Sequence, residues 1–486
     1  MENTKQTKQI VGYTVINYVG IAIGIVSTLF IYPLDVELLG IFRYIDSWAQ
    51  MLFPIITLGS AQALIHFYPQ LPEKMQVRLF GFSLVSIFKL AFWVSLLVLF
   101  FYFFVDDINT NYIFYSLPIA LVLALVELFK RQATTLEKIA VPTLYEKVVP
   151  KLALPIAFLL VLWGYVSVNM GFVLYVLAFV FLLAGVALYV KKHYKYKICW
   201  SEAELFTHIS KKEYYRYSLY AFAGSFGSFF AFRIDSIMIP NFIDLEANGI
   251  YNIGVTLAST LAIPATGIFA LQAPVISKLI KTNNWQALHV KYKETAKLLL
   301  FVAALFYGSV LLGMEPLFNL LPTQNKLLPA LPIIYILGAS MFVNMSTGFN
   351  SEIISYSKHY RFNLITILFL VVLNVGLNYY VLKYTHWGIL GVACASLLAM
   401  TVFNFLKTAF IYKVFKLLPF DAGYFKITSI FLIGFGLAYL LPTSTWPAIN
   451  LLLKCSFFVI FCIFFVYKLR LILVLNQFVG KKIKNF

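Results

Sequence analysis

An all-α integral membrane protein is the fold class this sequence predicts, with about fourteen transmembrane helices arranged as two six-helix lobes followed by two further helices. Three observations predict it. Hydrophobic residues make up 61% of the 486 positions and charged residues 12%, with a mean hydropathy of +0.85; a soluble domain of this length needs far more charge to stay dispersed. The apolar residues fall in runs of about 20, the length that crosses the hydrocarbon of a bilayer. Finally, Ile243 to Tyr251 (IDLEANGIY) restates Leu34 to Phe42 (LDVELLGIF). Asp35, Glu37, Gly40 and Ile41 match Asp244, Glu246, Gly249 and Ile250, and the pairs Leu34/Ile243, Val36/Leu245 and Phe42/Tyr251 are conservative. One residue out of register, Pro54, Gln62 and Ala63 pair with Pro264, Gln272 and Ala273.

The spans run in order over 10–34, 41–66, 79–104, 112–132, 144–165 and 168–190, which form an N-lobe within 1–190. The first begins near Ile10, is too long for a signal-peptide core and has no cleavage site behind it, so it reads as a retained helix. A linker over 191–215 holds Ser201 and Glu204, the spacing of a capping box, with Leu205, Phe206 and Ile209 on one side. It predicts a short helix lying on the membrane surface. Spans 216–242, 249–277, 298–320, 327–350, 362–384 and 387–412 form a C-lobe within 216–415. Gly391, Ala395 and Ala399 make a small-residue face in the last of these, suited to close helix packing. Residues 416–486 add spans 424–441 and 448–467 and a basic tail from Lys468, expected in the interface.

The basic residues orient these spans. Lysines and arginines flank alternate loops throughout: Lys5 and Lys8, Lys74 and Arg78, then the groups at Lys130–Lys147, Lys191–Arg216, Lys278–Lys297, Lys358–Arg361, Lys407–Lys426 and Lys468–Lys484. The opposite loops hold only Lys326 and Lys383, beside Asp35, Glu37, Asp106, Asp107, Asp244, Glu246 and Glu315. By the positive-inside rule both termini are cytoplasmic. The net charge of +18 is thus spread over membrane-flanking segments, which suits anionic phospholipid and gives no patch for nucleic acid. An even number of spans separates the two copies of the repeat, so the repeats are parallel, related by an axis along the membrane normal.

Chemistry-bearing patterns are absent. Cys199, Cys394, Cys455 and Cys462 have no CxxC or paired histidine spacing and read as free thiols. His66, His193, His208, His289, His359 and His386 accompany no HExxH, GxSxG, P-loop or GxGxxG. No metal, cofactor or enzyme reading has residues to stand on. Repeated membrane halves without visible chemistry point to movement of something across a bilayer.

Three features together resemble a known family. They are the turn ending Gly40-Ile-Phe and again Gly249-Ile-Tyr, the stretch Phe232-Arg-Ile-Asp-Ser-Ile-Met-Ile239, and Asn374 and Asn378 followed by Gly388, Gly391, Ala393 and Ala395. The combination resembles the polysaccharide flippases (Wzx-type O-antigen and capsule exporters) of the multidrug/oligosaccharidyl-lipid/polysaccharide superfamily. The resemblance covers the whole chain. It implies a bacterial inner-membrane protein that moves an undecaprenyl-diphosphate-linked oligosaccharide from the cytoplasmic to the periplasmic leaflet, its two lobes alternating access around a cavity. It also names lipid-linked oligosaccharide, membrane lipids and the polysaccharide polymerase machinery as partners.

An anionic, polar head needs donors and positive charge along its path. Arg43, Lys89, Lys151, Arg233 and Lys454 lie within predicted spans. Arg43 and Arg233 belong to the outer halves, one per lobe, where they can clamp a diphosphate, since the planar guanidinium fork suits phosphate oxygens. Lys89 and Lys151 belong to the inner halves, nearer the loading side, and Lys454 is expected to snorkel toward lipid. The plain alternative for Arg43 is an i, i+3 pair with Asp46. Asp46, Glu127 and Asp235 are embedded acids that a proton or sodium ion could neutralise, which makes them candidates for coupling transport to an ion gradient; structural pairing accounts for the same acids.

Rival readings are a cation-coupled multidrug antiporter and a peptidoglycan-precursor flippase of the same superfamily. Span 1 contains neither the acid common in the first group nor the arginine common in the second. A membrane glycosyltransferase or polymerase, from another class, is expected to carry a large outer loop or a soluble catalytic segment, which this sequence lacks.

Overall fold

The computed structural model describes residues 19–104, 109–196, 204–473 and 475–476, and every regular element among them is helical. In chain order the helices are α1 (Val19–Leu34), α2 (Val36–Thr57), α3 (Ser60–Phe67), α4 (Glu73–Tyr102), α5 (Thr110–Thr135), α6 (Ala140–Leu162), α7 (Val168–His193), α8 (Lys211–Arg233), α9 (Asp235–Phe242), α10 (Leu245–Ser259), α11 (Ile263–Lys281), α12 (Trp285–Asn319), α13 (Gln324–Leu327), α14 (Leu331–Ser346), α15 (Asn350–Tyr356), α16 (Tyr360–Tyr384), α17 (Gly388–Phe415), α18 (Ala422–Leu440) and α19 (Pro447–Lys468).

Among the described residues ten helices are long and apolar enough to cross a bilayer, or twelve if each bent pair, α2 with α3 and α8 with α9, is one span. The two others expected from the sequence are also helical. Helix α1 is described only from Val19 and is shorter, and α6 carries Glu146, Lys147 and Lys151. Polar side chains start several of the helices. Asp35, Ser167, Asn284 and Asp421 each accept a hydrogen bond from the backbone N–H three residues on, satisfying one of the four amides a helix start leaves open. The outward sides are apolar, with Phe92, Trp93, Leu97 and Phe100 exposed on α4 and Leu452, Ile460 and Phe464 on α19. Such faces are stable only against lipid.

The chain divides into two compact units, Met1–Asn252 and Ile253–Phe486. The first copy of the repeat and the start of the second pack together inside unit 1. Asp35 caps α2 through the Leu38 N–H (2.9 Å) and Asp244 accepts from the Ala247 N–H (2.6 Å); Leu38 and Ala247 are equivalent positions of the repeat. Any Cβ at Gly40 would overlap the Leu245 carbonyl, and any Cβ at Gly249 the Val36 carbonyl. Val36 and Leu245 are themselves equivalent, so the two copies cross at a pair of glycines related by the repeat. Asn248 Nδ2 adds a hydrogen bond to the Gly40 carbonyl (2.8 Å). The repeated glycine thus marks a backbone-to-backbone contact that no other residue permits.

In unit 2, α18 and α19 pack on α12 around Leu300, Ala304, Phe431 and Phe458. Gly308 makes room for the Phe458 ring. Gly391, Ala395 and Ala399 are all buried, and Gly391 faces the Val381 side chain of α16, so the small-residue face does pack closely.

Three expectations need correction. Among the described residues of the linker, the expected surface helix is represented by a three-residue 3-10 turn, Leu205–Thr207. Leu205 and Ile209 are buried and Phe206 packs edge-on against Phe82 and Tyr214, so this segment faces protein rather than lipid. Glu204 pairs with Arg78. Lys407, grouped with the loop lysines, is 2% exposed inside α17. Its Nζ donates to Ser351 Oγ (2.8 Å) and lies 3.8 Å from the centre of the Phe403 ring. Lys454, expected to snorkel, is buried and donates to the Tyr439 carbonyl (3.4 Å) in the last turn of α18, where a cation complements the helix dipole. Residues 10–18 of the first span, Asp106, Asp107, Cys199, Ser201 and the tail beyond 476 lie outside the described residues.

Candidate functional site

Two bent spans position the embedded charges of unit 1. Helix α2 ends at Leu58 and Gly59, both left-handed (φ 42° and 72°), and α3 leaves at 46°. Gly59 sits against the Ser218 backbone of α8, where a Cβ would clash. Helix α8 ends at Arg233, and α9 starts at Asp235 after a bend of 45°. A break of this kind frees backbone groups and exposes side chains that a straight helix would bury in its neighbours.

Arg43 and Asp46 of α2 and Arg233 at the end of α8 come together there. Asp46 is 9% exposed. Its Oδ2 accepts a hydrogen bond from Gln50 Nε2 (2.8 Å) and lies 4.0 Å from the Arg233 guanidinium. The i, i+3 pair of Arg43 with Asp46 does not form. Arg43 lies instead over the Tyr32 ring, its Cζ 5.7 Å from the ring centre, and its buried Nε has no hydrogen-bond partner. Arg233 lies within Coulombic reach of Arg43, Asp46 and Tyr175. Among the described residues the two guanidiniums therefore carry more N–H donors than Asp46 has oxygens to accept, in surroundings walled by aromatic rings. Chemically this arrangement can hold an anion.

Asp235, 8% exposed, accepts a hydrogen bond from the buried Tyr251 hydroxyl (2.6 Å). Beside it Asn252 bonds Ser236 and Asn248, which in turn reaches Gly40. Glu127 is held by two cations of its own helix, Lys130 (3.2 Å) and Arg131 (2.7 Å), and Lys130 also reaches Glu146 of α6 (3.0 Å). Lys151 lies along α1, so close to Gly20 that a Cβ there would press on its side chain, and forms no ion pair among the described residues. Lys89 is exposed on α4, one turn from Phe92 and Trp93 on its apolar outward side. The structure thus brings together Arg43, Asp46 and Arg233, and places Lys89, Lys151 and Glu127 elsewhere.

Three participants escaped the sequence reading. Gln50 lies one turn beyond Asp46, an i, i+4 spacing that signals the bond. Tyr251 is the repeat partner of Phe42, and the added hydroxyl is the only change in that pair. Tyr32 precedes Pro33 at the end of α1 and has no comparable signal.

Unit 2 holds a second polar assembly. Tyr292 of α12 donates to Asn350 of α15, Asn350 to Thr408 (3.1 Å), and Asn404 of α17 joins Asn344 and Thr347 (3.3 and 3.0 Å). Lys407 and Ser351 lie beside it. These are satisfied donors and acceptors that lock α12, α14, α15 and α17 in register. Among the described residues no group of three or more His, Cys, Asp or Glu is placed to hold a metal ion.

A family model described as "Polysaccharide biosynthesis protein" matches residues 7–280, more than half of the chain. None of the curated proteins matches the chain by sequence. Among solved structures, "Lipid II flippase MurJ, inward closed conformation" is similar over 95% of this chain and 99% of that one, with a TM-score of 0.71 and 14% identity. A structure described as an inward-facing multidrug resistance MATE family transporter of the MOP superfamily is similar over 83% of this chain and 94% of that one, with a TM-score of 0.63 and 15% identity. Identities this low establish a shared fold. The chain belongs to the polysaccharide biosynthesis protein family and has the fold of the multidrug/oligosaccharidyl-lipid/polysaccharide exporter superfamily.

Proposed function

We propose that the protein is a flippase that carries an undecaprenyl-diphosphate-linked oligosaccharide, an O-antigen or capsule repeat unit, from the cytoplasmic to the periplasmic leaflet of a bacterial inner membrane. The observation that carries this reading is the family match over residues 7–280 on a chain built of membrane-spanning helices. The paired guanidiniums of Arg43 and Arg233 support it, because a diphosphate is the part of such a substrate that needs forked N–H donors away from water.

In this reading the lipid tail stays in the bilayer while the head passes through the protein, and the two lobes alternate access. Asp46 balances the guanidiniums when no diphosphate is present. Glu127 is held by two cations, which leaves Asp46 and Asp235 as the carboxylates through which a proton or sodium gradient would drive the cycle. The polysaccharide polymerase machinery would take up the delivered unit.

The test is reconstitution. Vesicles containing the purified chain receive a polyprenyl-diphosphate oligosaccharide, and the fraction of glycan open to an impermeant oxidant is followed in time. Protein-dependent exchange between leaflets supports the reading. No exchange with the glycolipid, together with uptake of cationic dyes, would move the protein to the antiporter branch.

A further inference from the structure

Unit 2 contains a cavity of about 310 Å³ at the end where α12 and α18 begin and α19 finishes. Its polar lining is Lys291, Glu294, Thr295 and Lys297 of α12, Gln272 of α11, and Arg470 just after α19. The charges are unevenly committed. Lys297 is bound to Asp421 (2.9 Å), and Lys293 lies close enough to act on the same carboxylate. Lys291 and Arg470 form no ion pair among the described residues, although both line the cavity beside the lone acid Glu294. Arg470 is fixed by its backbone: it takes a left-handed conformation (φ 53°), with its N–H bonded to the Tyr467 carbonyl, and ends α19 there. The Gln272 amide has a buried terminal atom without a hydrogen-bond partner, and an amide can turn either its NH₂ or its carbonyl to a ligand. The remaining wall is apolar, with Leu298 from α12 and Leu471 and Leu473 from the segment after α19.

We propose that this cavity is a phosphate-binding site, separate from the Arg43 and Arg233 cluster. Two cations of different segments, neither in an ion pair among the described residues, converge on a space large enough to admit a phosphate group. A guanidinium and an ammonium together supply the charge and the donors. The half-buried Leu298 and Leu471 and the exposed Leu473 at its edge match the boundary between headgroups and acyl chains, where basic side chains gather anionic lipid. A phospholipid headgroup or free phosphate would satisfy the same donors.

The experiment is native mass spectrometry of the purified full-length chain, released from detergent after incubation with phosphatidylglycerol, phosphatidylcholine or inorganic phosphate. The unmodified chain should retain phosphatidylglycerol over phosphatidylcholine, and the double variant Lys291→Gln/Arg470→Gln should lose about tenfold in that retention. The charge-conserving Lys291→Arg variant should keep it, and Lys383→Gln, at the opposite helix ends, should change nothing. Thermal unfolding of each variant separates a lost site from a lost fold. Displacement of the lipid by millimolar inorganic phosphate would identify a site open to the free ion; persistence would identify the lipid headgroup as the ligand. Equal retention of both phosphatidylglycerol and phosphate by the folded double variant would overturn the proposal.

Discussion

Arg43 and Arg233 were conspicuous in the sequence because a guanidinium inside an apolar run is costly and needs a reason to be there. That argument found the charges but not their partners. The carboxylate next to Arg43 in sequence turns away from it toward Gln50 and Arg233, because side-chain direction depends on how α2 meets α8 and not on spacing along α2. Replacing both arginines by alanine should abolish transport while leaving the amount of folded protein unchanged; transport at the ordinary rate by that double variant would remove the diphosphate role. Lys89 and Lys151 look equivalent in the sequence, yet one faces outward beside Phe92 and the other lies along α1. Lys407 lies inside the expected span 387–412 but near its cytoplasmic end, where a lysine reads as a loop-flanking charge; hydropathy does not record that α15 and Phe403 enclose it. The repeated glycines make a sharper prediction. Gly40→Ala and Gly249→Ala each drive a methyl into a carbonyl and should destabilise by about 1–3 kcal/mol or more, read as a lower unfolding temperature in detergent. Gly436→Ala, with open space around it, should have little effect.

At the scale of the helix, the number and order of the spans are legible because apolar runs mark them, whereas bends are not, and neither is the start of α12 at Trp285, well ahead of the apolar run expected from 298. The breaks at Gly59 and Ile234 depend on αL geometry at Leu58 and on the start of α9, neither of which hydropathy records. The linker shows the complementary limit: an apolar side made of Leu205 and Ile209 looks the same whether it covers lipid or protein. The junction between α12 and α18 carries a pH dependence. Burial alone raises the Asp421 carboxyl, but hydrogen bonds from Lys297 and the Tyr424 N–H, with the charges of Lys297 and Lys293, hold it below its usual 3.8. A carboxyl depressed in the folded state contributes stability above its unfolded pKa, and that stability is lost as pH falls through the folded value. Asparagine caps a helix as well as aspartate does, so Asp421→Asn isolates the charge. The gap in unfolding temperature between the unmodified chain and this variant should be present at about pH 6 and shrink toward about pH 3. A gap that stayed constant across that range would place the stabilisation in the cap alone.

For the whole molecule, the duplicated motif is the most informative stretch of sequence; the sequence reads it as a turn ahead of each span, whereas unit 1 places it in the first turns of α2 and α10, capped at Asp35 and Asp244 and crossing at Gly40 and Gly249. What the substrate is was less legible, because the shared motifs build scaffold and the charges that would meet cargo lie outside them. Two functional predictions belong to this scale. Covalent crosslinking of the two lobes at their outer face should stop transport, and undiminished transport when locked would exclude alternating access. Collapsing the proton and sodium gradients across reconstituted vesicles should slow net translocation; an unchanged rate would exclude coupling through Asp46 or Asp235. The most direct measurement is a clean deletion of the protein followed by mass spectrometry of the lipid-linked glycans left in the membrane. The account predicts that an undecaprenyl-diphosphate glycan accumulates while the surface polysaccharide is lost. Unchanged glycans, with heightened sensitivity to cationic drugs, would contradict it.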